Sequence, residues 1–128
     1  MALSTNNSVN TISKKKGLIT INNFPYTIND LRNACNEDKV VWKDHATQRL
    51  LQRKILKTDA IQCILNGEII EKYVSDKPFA SCLVFGYVRF GKPLHVVCSF
   101  DGEYTHMITA YIPDTIKFHE DLKTRREI

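Results

Sequence analysis

With 128 residues, 43% of them hydrophobic and 25% charged, the chain fits one domain with a single core and is not disordered over most of its length. No apolar run approaches the roughly 18–20 residues of a membrane span, and the start, Met1 to Asn10, lacks the basic and apolar stretches of a secretory signal. The net charge of +4 is uneven: residues 1–57 hold ten Lys/Arg against four Asp/Glu (+6), residues 58–128 eight against ten (−2), which leans toward a polyanionic partner.

In chain order, residues 1–23 are expected to be a leader rich in Asn, Ser and Thr, with a strand candidate at 18–24. Thr27, with Asp30 three residues on, predicts a capped helix of about ten residues that turns Ile28, Leu31 and Cys35 inward. Val40-Val41-Trp42 reads as a brief apolar link. Asp44 is the next expected N-cap, opening a helix from His45 to about Lys54. Thr58 is expected to cap a third helix, with Ala60, Ile61, Ile64 and Leu65 at helical spacing and Gly67 as its stop. The period then changes to two. Strands are expected over Ile69–Val74, Ser81–Phe90, Leu94–Phe100 and Thr105–Ile112, with Asp101-Gly102 as a two-residue hairpin turn and a short helix in the tail. The fold class is α+β: helices first, then an antiparallel sheet of about four strands.

The four cysteines, Cys35, Cys63, Cys82 and Cys98, form no C-x-x-C pair, so no zinc site of ordinary spacing is expected. Cys63 and Cys98 read as small buried hydrophobes. With no export signal, the expected compartment is the cytoplasm and no disulfide framework is predicted.

The segment 45–53 carries the most chemistry. His45, Arg49 and Arg53 are four apart, so each is rotated only about 40° from the last around a helix. Ala46, Leu50 and Leu51 then occupy the arc from about 100° to 240°, the expected buried face. The His/Arg stripe therefore borders the core, where polar groups can reach over a sheet edge into a cleft. The alternative is an ordinary solvated shoulder. In the fourth strand Thr105, Met107, Thr109 and Tyr111 are expected to share a face, and an antiparallel neighbour can bring His95 close to Thr109 or Tyr111. Imidazole, phenol and guanidinium on one concave surface suit RNA cleavage, which needs a base for the 2′-hydroxyl, an acid for the leaving oxygen and cations for the phosphorane. Lys43, Lys92, Thr109 and Arg125 are further candidates for RNA contact. His106 and His119 have no partner pattern, and the Phe85, Tyr87 and Tyr104 rings fit packing better than base stacking. No phosphate-binding glycine loop or nucleophile elbow is present.

From about Val41 to Asp114 the chain resembles the bacterial family known as domain of unknown function 4258. The matching blocks are His45-Ala46 with Arg49 and Arg53, Asn66-Gly67-Glu68-Ile69-Ile70, Pro93-Leu94-His95-Val96-Val97, and Ile108 through Asp114. The resemblance implies distant kinship with the RelE and BrnT ribonuclease toxins, and hence a single RelE-like domain over 24–128 with helices against a curved sheet. It also implies a toxin that cleaves RNA without a metal or other cofactor and is silenced by an antitoxin-like protein partner. Carried over by position, the motif residues are His45, Arg49, Arg53, His95, Thr109 and Tyr111. The expected catalytic set is His45, Arg49, Arg53, His95 and Tyr111. A non-catalytic RNA- or protein-binding module, such as a regulator or an immunity-type partner, is the alternative.

Overall fold

The computed structural model describes residues 24–127, so the leader and nearly all of the strand candidate at 18–24 lie outside the described residues. The elements run α1 (Ile28–Asn36), β1 (Val40–Trp42), α2 (Asp44–Gln52), α3 (Lys57–Asn66), β2 (Glu68–Tyr73), β3 (Ser81–Val88), β4 (Lys92–Phe100) and β5 (Thr105–Tyr111). The strands form one five-stranded sheet in the order β1-β5-β4-β3-β2. The fifth strand is β1. The apolar link Val40–Trp42 pairs in parallel with Thr105–Met107 at the sheet edge, a contact between segments far apart in sequence. The other pairings are antiparallel.

Local signals set the helix starts unevenly. Thr27 caps α1 in a reciprocal capping box with Asp30. The caps of α2 and α3 are Lys43 and Leu56, one and two residues before the expected Asp44 and Thr58. Asp44 therefore sits in the first turn of α2, where its negative charge faces the positive end of the helix. In α3 the first-turn Asp59 accepts from the Leu56 amide (3.3 Å) and takes a bidentate pair from Arg89 (2.8 and 3.2 Å). Those hydrogen bonds, led by Arg89, hold its carboxyl below the usual carboxylate range.

The helices cover one face of the sheet. Leu31, Leu50, Ala60, Cys63 and Ile64 pack on Cys82, Val84, Leu94, Val96, Cys98, Met107 and Ala110. Cys63, Cys82 and Cys98 are fully buried, and all four cysteines are free thiols. On α2 the buried arc is narrower than expected: Ala46 and Leu50 are inside, but Leu51 is 73% exposed. No described helix is long and apolar enough to cross a membrane.

Gly67 ends α3 in an extended conformation (φ −99°, ψ −166°), so it is not the left-handed stop that helix ends favour. Its need is space, because a Cβ there would run into the carbonyl oxygens of Cys63 and Phe85. Gly67→Ala must push two backbones apart, and we expect it to lower the denaturant midpoint by the equivalent of about 1–3 kcal/mol. An unchanged midpoint would show that α3 can move away from β3 at little cost.

Two further expectations give way. The Asp101-Gly102 hairpin is a longer loop, Asp101–Tyr104, closed by the Asp101 carboxylate, which accepts from the Glu103 and Tyr104 amides (2.8 and 2.7 Å). The tail forms no helix. Residues 113–127 fold as turns, organised by Asp114 and Asp121 accepting from amides two and three residues on and by Arg126 Nε donating to the carbonyls of Thr115 and Phe118.

Candidate functional site

The face of the sheet away from the helices is not open, because the segment 113–127 lies across part of it. Its Phe118 ring packs edge-on against His95 (4.7 Å between centroids), and Phe118 is buried. Lys123 pairs with Glu68 (2.9 Å), and the Arg125 guanidinium forks onto the Glu71 carboxylate (3.0 and 3.2 Å).

His95 lies beneath this segment. Its partner in the β4–β5 ladder is Tyr111, but it is 0% exposed and lines neither of the two cavities described below. Nε2 lies 2.7 Å from the Leu122 carbonyl oxygen, which can only accept, so Nε2 carries the hydrogen. That leaves Nδ1 as an acceptor for the Tyr111 hydroxyl at 3.3 Å. Burial disfavours the imidazolium and holds the His95 pKa below its ordinary 6.5, although the Leu122 carbonyl and Glu71 pull the other way. Burial likewise raises the Tyr111 phenol, which keeps its proton at neutral pH. For Glu71 burial acts upward, but hydrogen bonds from Arg125 and Tyr73 win and keep it ionised.

A cavity of about 600 Å³ opens at the β5 edge, between α2 and the segment 113–127. It is lined by His45, Arg49, Arg53, Thr109, Tyr111 and Arg125 from the expected set, and by Asp114 and Lys117 among others. His45 and Arg49 come from the exposed stripe of α2 and Arg53 from its C-cap, beside the stretch of β5 that β1 leaves unpaired. Arg53 spans the junction: its Nη1 donates to Thr109 Oγ1 (3.0 Å) and to the Ala110 carbonyl (2.8 Å). Thus Arg53 is a tie between helix and sheet edge as well as a wall of the cavity. Arg125 is similarly engaged with Glu71. By contrast, neither the His45 nor the Arg49 side chain has a hydrogen-bond or ion-pair partner among the described residues.

A β-bulge decides which face of β5 meets the cavity. The register shifts between Val97 and Cys98, so Met107 pairs with Cys98 while Thr109 pairs with Val97. Thr105 and Met107 therefore face the helices, and Thr109 and Tyr111 the opposite side, in place of the single shared face expected from strict alternation. A second cavity of about 360 Å³ adjoins the first, with His45 and Ile108 lining both. Lys43 lines this second one, with Asp76, Lys77, Ser81, Ser99 and His106. Lys92 lines neither: it pairs with Val88 at the β3–β4 turn, where its charge acts on Asp59. His106 is partnered, its Nε2 lying 2.8 Å from Asp101, whose carboxyl is held down at about 2 by the Tyr104 amide and then by His106. His119 is exposed.

Sequence reasoning missed Glu71, Leu122 and Lys117. Glu71 lies opposite Leu83 across another bulge, between Ile69 and Glu71, which conceals its face from a period-two reading. Leu122 acts through its carbonyl and adopts φ 60°, neither of which any side-chain pattern reveals. Among the described residues no group of three or more His, Cys, Asp or Glu is placed to hold a metal ion.

Compared with known proteins, the chain matches the family described as Domain of unknown function (DUF4258) over residues 42–112, more than half its length. The matched stretch includes His45, Arg49, Arg53, His95, Thr109 and Tyr111, and stops before the segment that covers His95. No curated protein and no solved structure matches the chain.

Proposed function

The chain belongs to the DUF4258 family, and we propose that it is a metal-independent endoribonuclease whose cavity at the β5 edge holds the scissile phosphate. The observation that carries this reading is the placement of His45 and Arg49, which have no partner in the described fold, on the walls of the same cavity as Tyr111. Partnerless polar groups that converge on a hollow are poised for a ligand.

In this reading His45 takes the proton of the 2′-hydroxyl, since imidazole is the side chain suited to proton transfer near neutral pH. The 2′-oxygen then bonds to phosphorus and the bond to the 5′-oxygen breaks. Arg49 donates to the phosphate oxygens as charge develops on them, as its planar fork fits. Tyr111, kept protonated by burial, gives its proton to the leaving 5′-oxygen. Its 3.3 Å contact to His95 is long, so the hydroxyl can turn to the substrate. His95 holds Tyr111 in place and touches no substrate. Arg53, Arg125 and Lys117 supply the positive rim. Kinship with the RelE and BrnT toxins, action as a toxin, and a protein antitoxin belong to the same proposal.

The test is incubation of single-stranded RNA with the full chain in EDTA. Fragments ending in a 2′,3′-cyclic phosphate are expected, and intact RNA with folded protein would reject the proposal. A non-catalytic RNA-binding module is the second reading. It is favoured by the burial of His95 and by the engagement of Arg53 and Arg125 within the fold, and predicts salt-sensitive binding without product.

A further inference from the structure

Beyond the His45 and Ile108 that it shares with the first, the second cavity carries a polar group that the bond cleavage above does not use. Ser99 is only 7% exposed, lines this cavity, and its hydroxyl makes no hydrogen bond among the described residues. Buried hydroxyls are nearly always paired, so one facing a cavity without a partner points to a ligand that completes it. Beside it, Asp76 accepts the Ser81 hydroxyl on Oδ2, which leaves Oδ1 free. The wall also holds an aromatic platform: the Phe79 and His106 rings lie 6.1 Å apart at 33°, and Phe79 is 41% exposed. His45 joins this cavity to the one that holds the phosphate in the proposed function.

We infer that the second cavity is a nucleobase subsite that selects guanine next to the phosphate held by Arg49. The inference rests on the RNA reading above and names the substrate of that same site. Unstacked bases of single-stranded RNA are recognised by stacking on aromatic side chains and by hydrogen bonds to their Watson–Crick edge. Phe79 offers the stacking face. Guanine alone among the four bases presents two adjacent donors on that edge, N1–H and N2–H, and a carboxylate accepts such a pair side by side. Adenine, cytosine and uracil each put an acceptor beside their donor, and that acceptor finds no donor on the Asp76 carboxylate. The Ser99 hydroxyl can donate to guanine O6 or accept from N2–H. Lys43 and Lys77, on the same wall, keep the neighbouring backbone phosphate favourable.

The experiment uses the full chain and fluorescent octamers with 2′-O-methyl riboses, which bind but are not cleaved: all-uridine, or uridine with one central guanosine or adenosine. The guanosine octamer is expected to bind about tenfold or more tightly than the other two. Asp76→Asn, which still accepts from Ser81, should abolish that preference without weakening all-uridine binding. Phe79→Ala should weaken the guanosine octamer by about 5- to 100-fold, with its thermal midpoint compared to exclude unfolding. Equal binding of the three octamers, all weakened by Arg49→Ala, would overturn the guanine subsite and leave the proposed function standing. Equal gains from adenosine and guanosine would also overturn the guanine selection. No binding of any octamer would remove the subsite together with the RNA reading.

Discussion

His95→Phe is expected to destabilise the protein by about 1–3 kcal/mol even though the ring volume is kept. The substitution leaves the Leu122 carbonyl and the Tyr111 hydroxyl without their partner beneath the covering segment. His95→Ala adds a cavity among Phe85, Tyr111 and Phe118 and should cost more, about 2–5 kcal/mol. Equilibrium denaturation with an unchanged m-value gives both numbers. The pH dependence separates this role from simple packing. The folded pKa of His95 lies below the unfolded 6.5, so the unfolded chain takes up the proton first. Stability from this group is therefore complete above pH 6.5 and declines as pH falls from 6.5 to the folded pKa. Within that window the loss is up to about 1.4 kcal/mol per pH unit. Glu71 and Asp101, lowered from 4.5 and 3.8, add their own losses only at more acidic pH. The decline that begins at 6.5 should vanish in His95→Phe. If it persists there unchanged, another group is responsible and His95 is not the sealed, neutral residue described above.

His45→Ala is expected to slow RNA cleavage in EDTA by about 10²–10⁴-fold, the usual contribution of a positioned general base. Its effect on stability should stay within about 0.5 kcal/mol, because the side chain is exposed and has no partner among the described residues. Arg49→Ala should cost a further large factor, about 10²–10³-fold, by removing a donor to the phosphorane oxygens. Arg49→Lys keeps the charge but loses the fork, so partial rescue is expected. Arg53→Ala must behave differently: it unties α2 from Thr109 and Ala110, and should lower stability as well as rate. Cleavage by His45→Ala at the wild-type rate would take the base away from α2 and with it the catalytic assignment of this cavity.

The covering segment links these two results. It lies beyond the matched family region, seals His95, and contributes Lys117 and Arg125 to the cavity rim. The same fifteen or so residues thus bury one histidine of the motif and leave the other exposed.

The amino-acid sequence by itself determined the mixed α+β character, the cap at Thr27, the helical stripe His45–Arg49–Arg53, the starts of β3 and β5 and the end of β4, whereas β4 begins at Lys92, two residues before the expected Leu94. Each of these is written in local periodicity or side-chain chemistry. Only the tertiary structure decided that Val40–Trp42 is a strand, because three residues become one only through a distant partner, Thr105–Met107. It also decided the faces of β5 and β2, since a bulge inserts a residue and reverses the alternation without marking the sequence. Above all it decided the fate of His95. A histidine on a strand has the same pattern whether its face meets solvent or chain, and the carbonyl that seals this one belongs to Leu122, 27 residues further on.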